Sequence, residues 1–356
     1  MTFCYYVTGH GFGHAIRSIQ VIQALPKEMR VLIKSSAPER LFREEMPHCA
    51  FEFIPAEYDC GALQTDSVTT LPGATLTRYR EIETRNEASL PDEIAFLRRE
   101  DVRCVACDVP PFPLYAAQRA GIPGVAIANF TWHDIYAGYV QTPEDAALLG
   151  RIKAQYQAAS LALITPLATP TVSDVFPNVA HIPLIARRGQ NVRQSLLNAF
   201  GLPVGRNLAL VYLGGWGMDI LWDAVANLRD WVFLVDRPLP GAPPNVLPFD
   251  PAVWRYADVA ASVDTVISKA GYGTVTDCIA NSVPLIYLPR EGFAEHMALV
   301  AGMQPWGGGI EITAEDFFQG HWHTALGKAL TVTLSPDTYK TNGAVVAAEY
   351  LAQEGT

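Results

Sequence analysis

The chain has 356 residues and a formal net charge of −10, and it contains no run of lysine and arginine that could track a phosphate backbone, so we exclude nucleic acid as a partner. At roughly 150 residues per domain, the length and an apolar content of 49% predict two domains, each with its own core. No stretch of about 18 uncharged apolar residues and no leader-like segment is present, so we expect a cytoplasmic protein without an integral membrane segment.

The first predicted elements are a strand, a glycine-rich loop and a helix. The apolar run 3–7 predicts the strand, and apolar residues at three- and four-residue spacing over 16–25 predict the helix. Between them the sequence VTGHGFGHAIR carries two histidines, His10 and His14. Glycine permits positive φ and close backbone approach, so the loop and the helix N-terminus can face a ligand.

Either histidine is a candidate base. The loop lies at the carboxyl edge of the first strand, where open α/β sheets bind ligands, and imidazole titrates near neutral pH. A structural role for His14, as a helix cap or a partner of a backbone carbonyl, is the alternative. The glycine spacing differs from Gly-x-Gly-x-x-Gly, so a nucleotide contact at this loop also stays open.

The rest of the first half alternates predicted strands with predicted helices, which is typical of a mostly parallel sheet covered by helices on both faces. The polar segment 76–99 predicts a long helix that we interpret as a solvated face. The other predicted strands are 30–34, 51–54, 104–107, 125–128 and 161–164.

Aspartates and aromatic residues follow two of these strands. Asp108 and Asp134 either orient a catalytic group or serve turn chemistry, as the sequence DVPP suggests for Asp108. Trp132 and Tyr136 lie four residues apart and either stack on a sugar or belong to the core, which we favour.

The second half repeats the first. Its predicted strands are 208–213, 231–235, 265–268 and 284–288, and 237–248 is predicted as a long loop. The proline-rich stretch from residue 165 onward contains our predicted linker, 171–188, between an N-terminal domain (1–170) and a C-terminal domain (189–340). The predicted fold class is α/β, with two Rossmann-like domains facing across a cleft.

Two loops of the second half, 213–217 and 268–274, join a strand end to a helix start through glycines. Backbone N–H groups at such helix termini can bind an anion such as a diphosphate. The alternative is that the glycines only allow a strand and a helix to pack closely.

Three ordered segments carry a family resemblance. Residues 264–296, DTVISKAGYGTVTDCIANSVPLIYLPREGFAEH, resemble the donor-binding segment of two-Rossmann (GT-B) glycosyltransferases of family 28. Together with residues 7–17 and 108–137 they resemble more closely still the glycosyltransferase-like N-terminal region of plant L-arabinokinase. The kinase domain of that protein would need several hundred further residues, so we expect no sugar kinase activity.

The resemblance implies a division of labour between the domains. The second half would bind a UDP-linked nucleotide sugar as co-substrate, and the first half would bind the acceptor. We expect no resident cofactor. The last segment, 341–356, would form a helix that crosses back to the N-terminal domain.

Site residues follow by position in the family motifs. Asp277 matches the acidic residue that holds the donor ribose, where the family has glutamate, and His14 matches the histidine of the glycine-rich loop. We expect the donor contacts to be Gly214, Gly215, Trp216, Ser268, Lys269, Gly271, Gly273, Thr274, Asp277, Arg290 and Glu295. The candidate acceptor contacts are Gly11, Phe12, Gly13 and Arg17, together with Trp132 and Tyr136 if these two stack on the sugar or acceptor.

These residues predict an inverting, metal-independent hexosyl- or pentosyltransferase. His14 or His10 would be the base, and Asp108 or Asp134 would orient the base or the acceptor, a small molecule, lipid or glycan. The sequence has no Asp-x-Asp pair to clamp a metal, so helix termini would take the leaving charge.

Two other functions stay open. A nucleotide-sugar 2-epimerase shares this architecture and would act on the nucleotide sugar without an acceptor. A non-catalytic nucleotide-sugar-binding protein would bind the donor without turnover.

Two further motifs receive structural interpretations. His321 and His323 lack metal-ligand partners at suitable spacing, so we interpret them as a surface turn. Cys104 and Cys107 form a C-x-x-C within a predicted strand, whose period of two sends them to opposite faces, so we interpret them as core thiols.

Overall fold

The computed structural model describes residues 1–65, 69–213, 220–290 and 292–355. The chain forms two compact units. The first comprises Met1–Ile185, Gly292–Ala298 and Lys340–Thr356, and the second comprises Ala186–Glu291 and Leu299–Tyr339. Among the described helices, none combines the length and the apolarity needed to cross a membrane.

Strands and helices alternate along the chain. The strands are β1 Thr2–Val7, β2 Arg30–Ser35, β3 Glu52–Pro55, β4 Val102–Asp108, β5 Gly124–Ala128, β6 Leu161–Ile164, β7 Val179–His181, β8 Asn207–Tyr212, β9 Trp231–Val235, β10 Val246–Pro248, β11 Thr265–Lys269, β12 Leu285–Leu288 and β13 Gly309–Glu311. The α-helices are α1 Phe12–Ala24, α2 Glu39–Glu45, α3 Pro72–Arg99, α4 Phe112–Ala120, α5 Trp132–Ala137, α6 Pro143–Tyr156, α7 Arg193–Ala199, α8 Trp222–Ala226, α9 Tyr256–Ala260, α10 Tyr272–Asn281, α11 Ala294–Trp306, α12 Ala314–Phe318, α13 His323–Ala329 and α14 Gly343–Glu354.

Each unit contains one parallel sheet. Over the described part of the chain, the order is β3-β2-β1-β4-β5-β6-β7 in the first unit and β10-β9-β8-β11-β12-β13 in the second. The chain leaves β1 toward β2 on one side while β4 lies on the other, and β8 stands between β9 and β11 in the same way. Such switch points open a crevice at the carboxyl ends of the strands. The predicted α/β class with two Rossmann-like domains is confirmed.

The sheet of the first unit is buried on both faces. Tyr6 and Cys107 belong to one apolar cluster, whereas Tyr5 and Cys104 belong to the other. Side chains alternate between faces along a strand, so the prediction that the C-x-x-C cysteines point to opposite faces is confirmed. Every cysteine among the described residues is a free thiol.

Short strands account for the differences from the predicted organisation. The predicted linker 171–188 is wrong in extent, because Val179–His181 pairs with β6 and completes the first sheet. The predicted loop 237–248 likewise contains β10, which pairs with β9. In the last part of the chain, α14 packs against α1 within the first unit.

The long helix α3 is not merely a solvated face, because it buries a carboxylate against the sheet. Glu93 accepts hydrogen bonds from Lys34 Nζ at 2.7 and 2.8 Å, from the Tyr6 hydroxyl at 2.5 Å and from the Tyr58 hydroxyl at 2.8 Å. Both side chains of the ion pair are 8% exposed, and Nζ lies 4.1 Å from the ring centroid of Phe96. Burial raises the pKa of Tyr6 and of Tyr58, so both hydroxyls remain donors.

We expect Lys34→Met to lower the free energy of unfolding by about 3–5 kcal/mol, because it leaves the charge of Glu93 buried without its cation. The double variant Lys34→Met/Glu93→Leu should regain a large part of this loss. The exposed pair of Arg103 and Asp101 provides the control, since Arg103→Met should cost less than about 1 kcal/mol. Urea unfolding measures all three, and equal losses for Lys34→Met and Arg103→Met would contradict this description of the pair.

Candidate functional site

Polar side chains of the first unit meet where neighbouring strands of its sheet end. His14 lies in the first turn of α1, directly after β1, and Asp108 is the last residue of β4. Asn129 follows β5. Because β1, β4 and β5 are neighbours in the parallel sheet, their carboxyl ends bring these residues together.

The glycine-rich loop enters α1 in a conformation that requires glycine. Gly11, the N-cap residue, has a φ of 71°, which side-chain-bearing residues rarely adopt. Space around it is open, because a Cβ placed there would meet nothing within 4 Å. The exposed Gly11 and Gly13 and the half-buried Phe12 therefore leave the start of α1 accessible, as the prediction of an acceptor contact requires.

Asp108 is the centre of a buried hydrogen-bonded cluster. Its Oδ1 lies 2.7 Å from Nδ1 of His14, and Arg17 donates from Nε to Oδ2 at 2.7 Å and from Nη2 to Oδ1 at 2.6 Å. Ser18 Oγ donates to Oδ2 at 3.3 Å. Asp108 is fully buried and Arg17 is 3% exposed, so this bidentate pair is shielded from water.

The charge on Asp108 decides the tautomer of His14. Burial raises the pKa of Asp108, but the charge and hydrogen bonds of Arg17, followed by those of His14, outweigh it and lower this pKa to about 2. An ionised carboxylate only accepts hydrogen bonds, so the 2.7 Å contact requires the proton on Nδ1 of His14. Arg17 Nη2 also lies 3.3 Å from this Nδ1, but it donates to Asp108 at the shorter distance of 2.6 Å. The neutral ring then carries its lone pair on Nε2, which makes that nitrogen the proton acceptor.

The cluster continues beyond the pair. Arg17 Nη1 donates to Oδ1 of Asn129 at 2.6 Å, and Nδ2 of Asn129 donates to Oε1 of Glu295 at 2.7 Å. Glu295 is 5% exposed and belongs to the first unit through the segment Gly292–Ala298. Glu295 is predicted to contact the donor and Arg17 the acceptor, whereas in the structure both side chains bond within this buried cluster.

His10 lies in an aromatic environment. Its ring stacks on Phe293 with centroids 5.9 Å apart and meets the edge of Trp132 at 5.4 Å. Gly61 packs so closely that a Cβ there would lie 2.3 Å from Nδ1 of His10. The structure therefore brings His14, rather than His10, against Asp108.

Asp59 is a neighbour that the sequence analysis missed. This buried carboxyl accepts hydrogen bonds from Thr8 Oγ1 at 2.6 Å and from Trp132 Nε1 at 2.7 Å. Burial raises the pKa of Asp59. The hydrogen bonds and the charge of His14 lower it, but burial is the larger effect. No motif surrounds Asp59 in the sequence, and only the fold brings it to the loop after β1.

Asp134 and the predicted aromatic contacts turn out to be structural. Asp134 forms a capping box with Thr131 at the start of α5 and accepts further hydrogen bonds from Thr169 and Thr171. We therefore correct its predicted catalytic role to helix capping, the turn chemistry left open above. Trp132 and Tyr136 are fully buried, so their predicted stacking on an acceptor is replaced by the core alternative.

In the second unit, the loop between β11 and α10 matches its prediction as a strand end, glycines and a helix start. Ser268 Oγ donates to the carbonyl oxygen of Tyr212 at 2.5 Å and so joins the ends of β11 and β8. Gly271 is the N-cap residue of α10, and a Cβ there would meet nothing within 4 Å. Gly273 and Thr274 lie in the first turn, after Lys269 at the end of β11.

The surroundings of Asp277 differ from those expected of an acid that binds the donor ribose. Both of its oxygens are engaged by Arg187, through the backbone N–H at 2.8 Å, Nε at 2.9 Å and Nη2 at 2.6 Å. Arg187 also lies 4.8 Å from the ring centroid of Tyr256. Asp277 is 2% exposed, so we correct its role to anchoring the start of the second unit onto α10.

The remaining predicted residues divide into two groups. Gly214, Gly215 and Trp216 lie outside the described residues, whereas Arg290 is described and buried at 7% exposure.

His321 and His323 line an open pocket of about 650 Å³ in the second unit, where Nδ1 of His321 lies 3.7 Å from Asp316. Among the described residues, no group of three or more His, Cys, Asp or Glu side chains could hold a metal ion.

Relatives support the resemblance found in the sequence. The chain is 29% identical over 365 residues to L-arabinokinase of Arabidopsis thaliana, which covers 99% of this chain and 34% of that protein. The chain thus spans about a third of the length of this relative. It is also 22% identical over 263 residues to an uncharacterised glycosyltransferase of Methanopyrus kandleri, covering 68% of this chain and 72% of that one. No family model matches the sequence.

Solved structures with the same architecture are GT-B glycosyltransferases. A UDP-glucosyltransferase from Polygonum tinctorium, capable of glucosylating indoxyl, aligns with a TM-score of 0.66 and 14% identity over 99% of this chain and 98% of its own. MurG of Acinetobacter baumannii aligns with a TM-score of 0.59 and 14% identity over 99% of both chains. The predicted GT-B fold and the resemblance to the N-terminal region of L-arabinokinase are confirmed.

The lowered pKa of Asp108 predicts a stability that depends on acid pH. With a pKa near 3.9 when unfolded and about 2 when folded, this carboxylate stabilises the fold fully above about pH 5. Its contribution should shrink by up to about 1.4 kcal/mol per pH unit as the pH falls from about 4 toward 2, because the unfolded chain then binds the extra proton.

Urea unfolding of the wild type, Asp108→Asn and the exposed control Asp92→Asn between pH 7 and pH 3 tests this. The stability difference between wild type and Asp108→Asn should decrease as the pH falls below 4, while Asp92→Asn follows the wild type. Parallel wild-type and Asp108→Asn profiles down to pH 3 would be inconsistent with an ionised Asp108 held by Arg17.

Proposed function

We propose that this protein transfers a sugar from a nucleotide diphosphate sugar to an acceptor hydroxyl, with His14 as the general base. The observation that carries the proposal is the 2.7 Å contact between Nδ1 of His14 and Oδ1 of Asp108. It supports an imidazole held in the tautomer that accepts a proton on Nε2. The GT-B fold of the chain supports the donor class.

The proposed step is a single displacement. Nε2 of His14 takes the proton of the acceptor hydroxyl as the hydroxyl oxygen attacks the anomeric carbon of the sugar. The bond between that carbon and the diphosphate oxygen breaks, and its electron pair leaves with the diphosphate. The anomeric configuration is therefore inverted. Asp108, ionised at neutral pH, stabilises the imidazolium that forms.

The leaving diphosphate needs positive potential in the second unit. We propose that the N-terminus of α10 supplies it, since Gly271 leaves that end of the helix open to a ligand. Ser268, Lys269, Gly273 and Thr274 are the proposed neighbours of the phosphates. On this proposal the reaction needs no metal, and helix N–H groups fixed before the reaction meet the developing charge.

The donor base and sugar are proposed as a class. The likeness to a UDP-glucosyltransferase favours a uridine donor, and hexose and pentose donors both fit the proposal. The acceptor is a small molecule, lipid or glycan with a nucleophilic hydroxyl. Resemblance to L-arabinokinase does not narrow the acceptor, because the chain matches 34% of that protein.

We expect His14→Ala to lower kcat by about 10² to 10⁴ while donor binding persists, because the variant loses the base but keeps the donor site. A panel of UDP-hexoses and UDP-pentoses with mixed hydroxyl acceptors measures turnover, and unfolding with donor measures binding. A donor at a hundredfold excess over Kd should stabilise both proteins by about 2.7 kcal/mol. The exposed His48→Ala is the control and should retain activity.

The same experiment separates the alternatives. Epimer formation without an acceptor would replace this proposal by an epimerase, and donor binding without turnover across the panel would replace it by a binding protein. Wild-type turnover that survives His14→Ala would remove His14 from the mechanism.

A further inference from the structure

The hydrogen-bond chain that starts at Asp108 does not end at Arg17. It continues from Arg17 Nη1 to Asn129 Oδ1 at 2.6 Å and from Asn129 Nδ2 to Glu295 Oε1 at 2.7 Å. Arg17, Asn129 and Glu295 are 3%, 0% and 5% exposed. A series of buried hydrogen bonds therefore links the carboxylate of Glu295 to Asp108, the partner of His14.

The chemistry of this chain fixes the orientation of Asn129. A guanidinium only donates hydrogen bonds and a carboxylate only accepts them. The Asn129 amide must therefore turn its oxygen to Arg17 and its nitrogen to Glu295, since the flipped amide would oppose donor to donor and acceptor to acceptor. Asparagine at this position thus matches a cation on one side and an anion on the other.

The cluster beside His14 holds more negative than positive charge. The charged side chains linked by these hydrogen bonds are Asp108 on β4, Arg17 on α1 and Glu295 on α11. Two carboxylates and one guanidinium leave one negative charge in excess. Asp59, after β3, also faces His14, and its pKa is raised by burial. Protonation of His14 in the transfer step neutralises the excess charge, and the buried setting weakens screening by solvent.

We propose that Glu295 is a positioning residue for His14, acting through Asn129 and Arg17 rather than by contact with the reacting atoms. Glu295 fixes the amide of Asn129, the amide fixes the third guanidinium nitrogen of Arg17, and Arg17 holds Asp108 against His14. This inference rests on the proposed transferase function for its kinetic consequence.

A reversal of hydrogen-bond polarity tests the inference. Asn129→Asp places a carboxylate against Glu295, so the two anions repel and the link breaks. In the double variant Asn129→Asp/Glu295→Gln, the glutamine amide donates to the new aspartate, which still accepts from Arg17. The double variant therefore restores both hydrogen bonds and the total charge, and Glu295→Gln alone completes the cycle.

Two readouts are measured on these variants and the wild type. We expect kcat to fall on the order of 10- to 100-fold in Asn129→Asp with little change in donor KM, and to return to within about threefold of wild type in the double variant. In NMR titrations, the pH midpoint of the His14 ring should rise in Asn129→Asp, fall in Glu295→Gln and return to the wild-type value in the double variant.

Each outcome decides a separate question. If the wild type transfers no sugar, the proposed function fails, and the His14 midpoints still decide the inference because they need no turnover. Midpoints that do not move, or a double variant no more active than Asn129→Asp in an enzyme that turns over, would overturn it. Asn198→Asp, which adds the same charge at an exposed position on α7, is the control and should leave both readouts unchanged.

Discussion

The buried ion pair between Asp108 and Arg17 is the interaction on which the site depends. A carboxylate at the end of a central strand, with no exposure to water, stays ionised only when a cation and hydrogen bonds compensate its burial. Arg17 supplies both from α1, and the pKa of Asp108 falls to about 2 despite burial. Everything proposed for His14 follows from this charge, because an ionised Asp108 is what holds the proton on Nδ1 and leaves Nε2 basic.

The second unit also contains a buried aspartate whose charge is compensated by an arginine, but this pair has a different role. Asp277 is also buried, and Arg187 satisfies both of its oxygens. The pair therefore anchors the start of the second unit to α10, whereas the pair in the first unit presents a base. Glu93 of α3 and Lys34 of β2 form a third buried pair, in which tyrosine hydroxyls also donate to the carboxylate. What distinguishes the candidate site is thus its position at the strand ends and its imidazole, since buried ion pairs occur elsewhere in the protein.

The sequence predicted the parts of the fold that repeat and the site residues that lie close together in the chain. Long buried strands gave continuous apolar runs, whereas β7, β10 and β13 are too short to leave a pattern. His14 and Arg17 lie three residues apart on α1, so their shared face was readable, but their common partner Asp108 is brought to them by the sheet. The contacts of Asp59 with Thr8 and of Asn129 with Glu295 join residues that are far apart in the sequence. No periodic pattern in the sequence indicates such contacts. The assignment of Asp277 to a ribose failed for the same reason, since its partner Arg187 lies in a segment that looked like a linker.

The tautomer of His14 is the most direct test of this account. Nitrogen-15 NMR of the protein labelled at histidine, with His14 assigned by its absence in His14→Ala, distinguishes a protonated Nδ1 from a protonated Nε2 at neutral pH. We predict that the neutral form of the ring carries its proton on Nδ1, in the hydrogen bond to Asp108. A neutral ring protonated on Nε2, or a ring that exchanges freely between both forms, would contradict the claim that the Arg17-held carboxylate prepares His14 as a base.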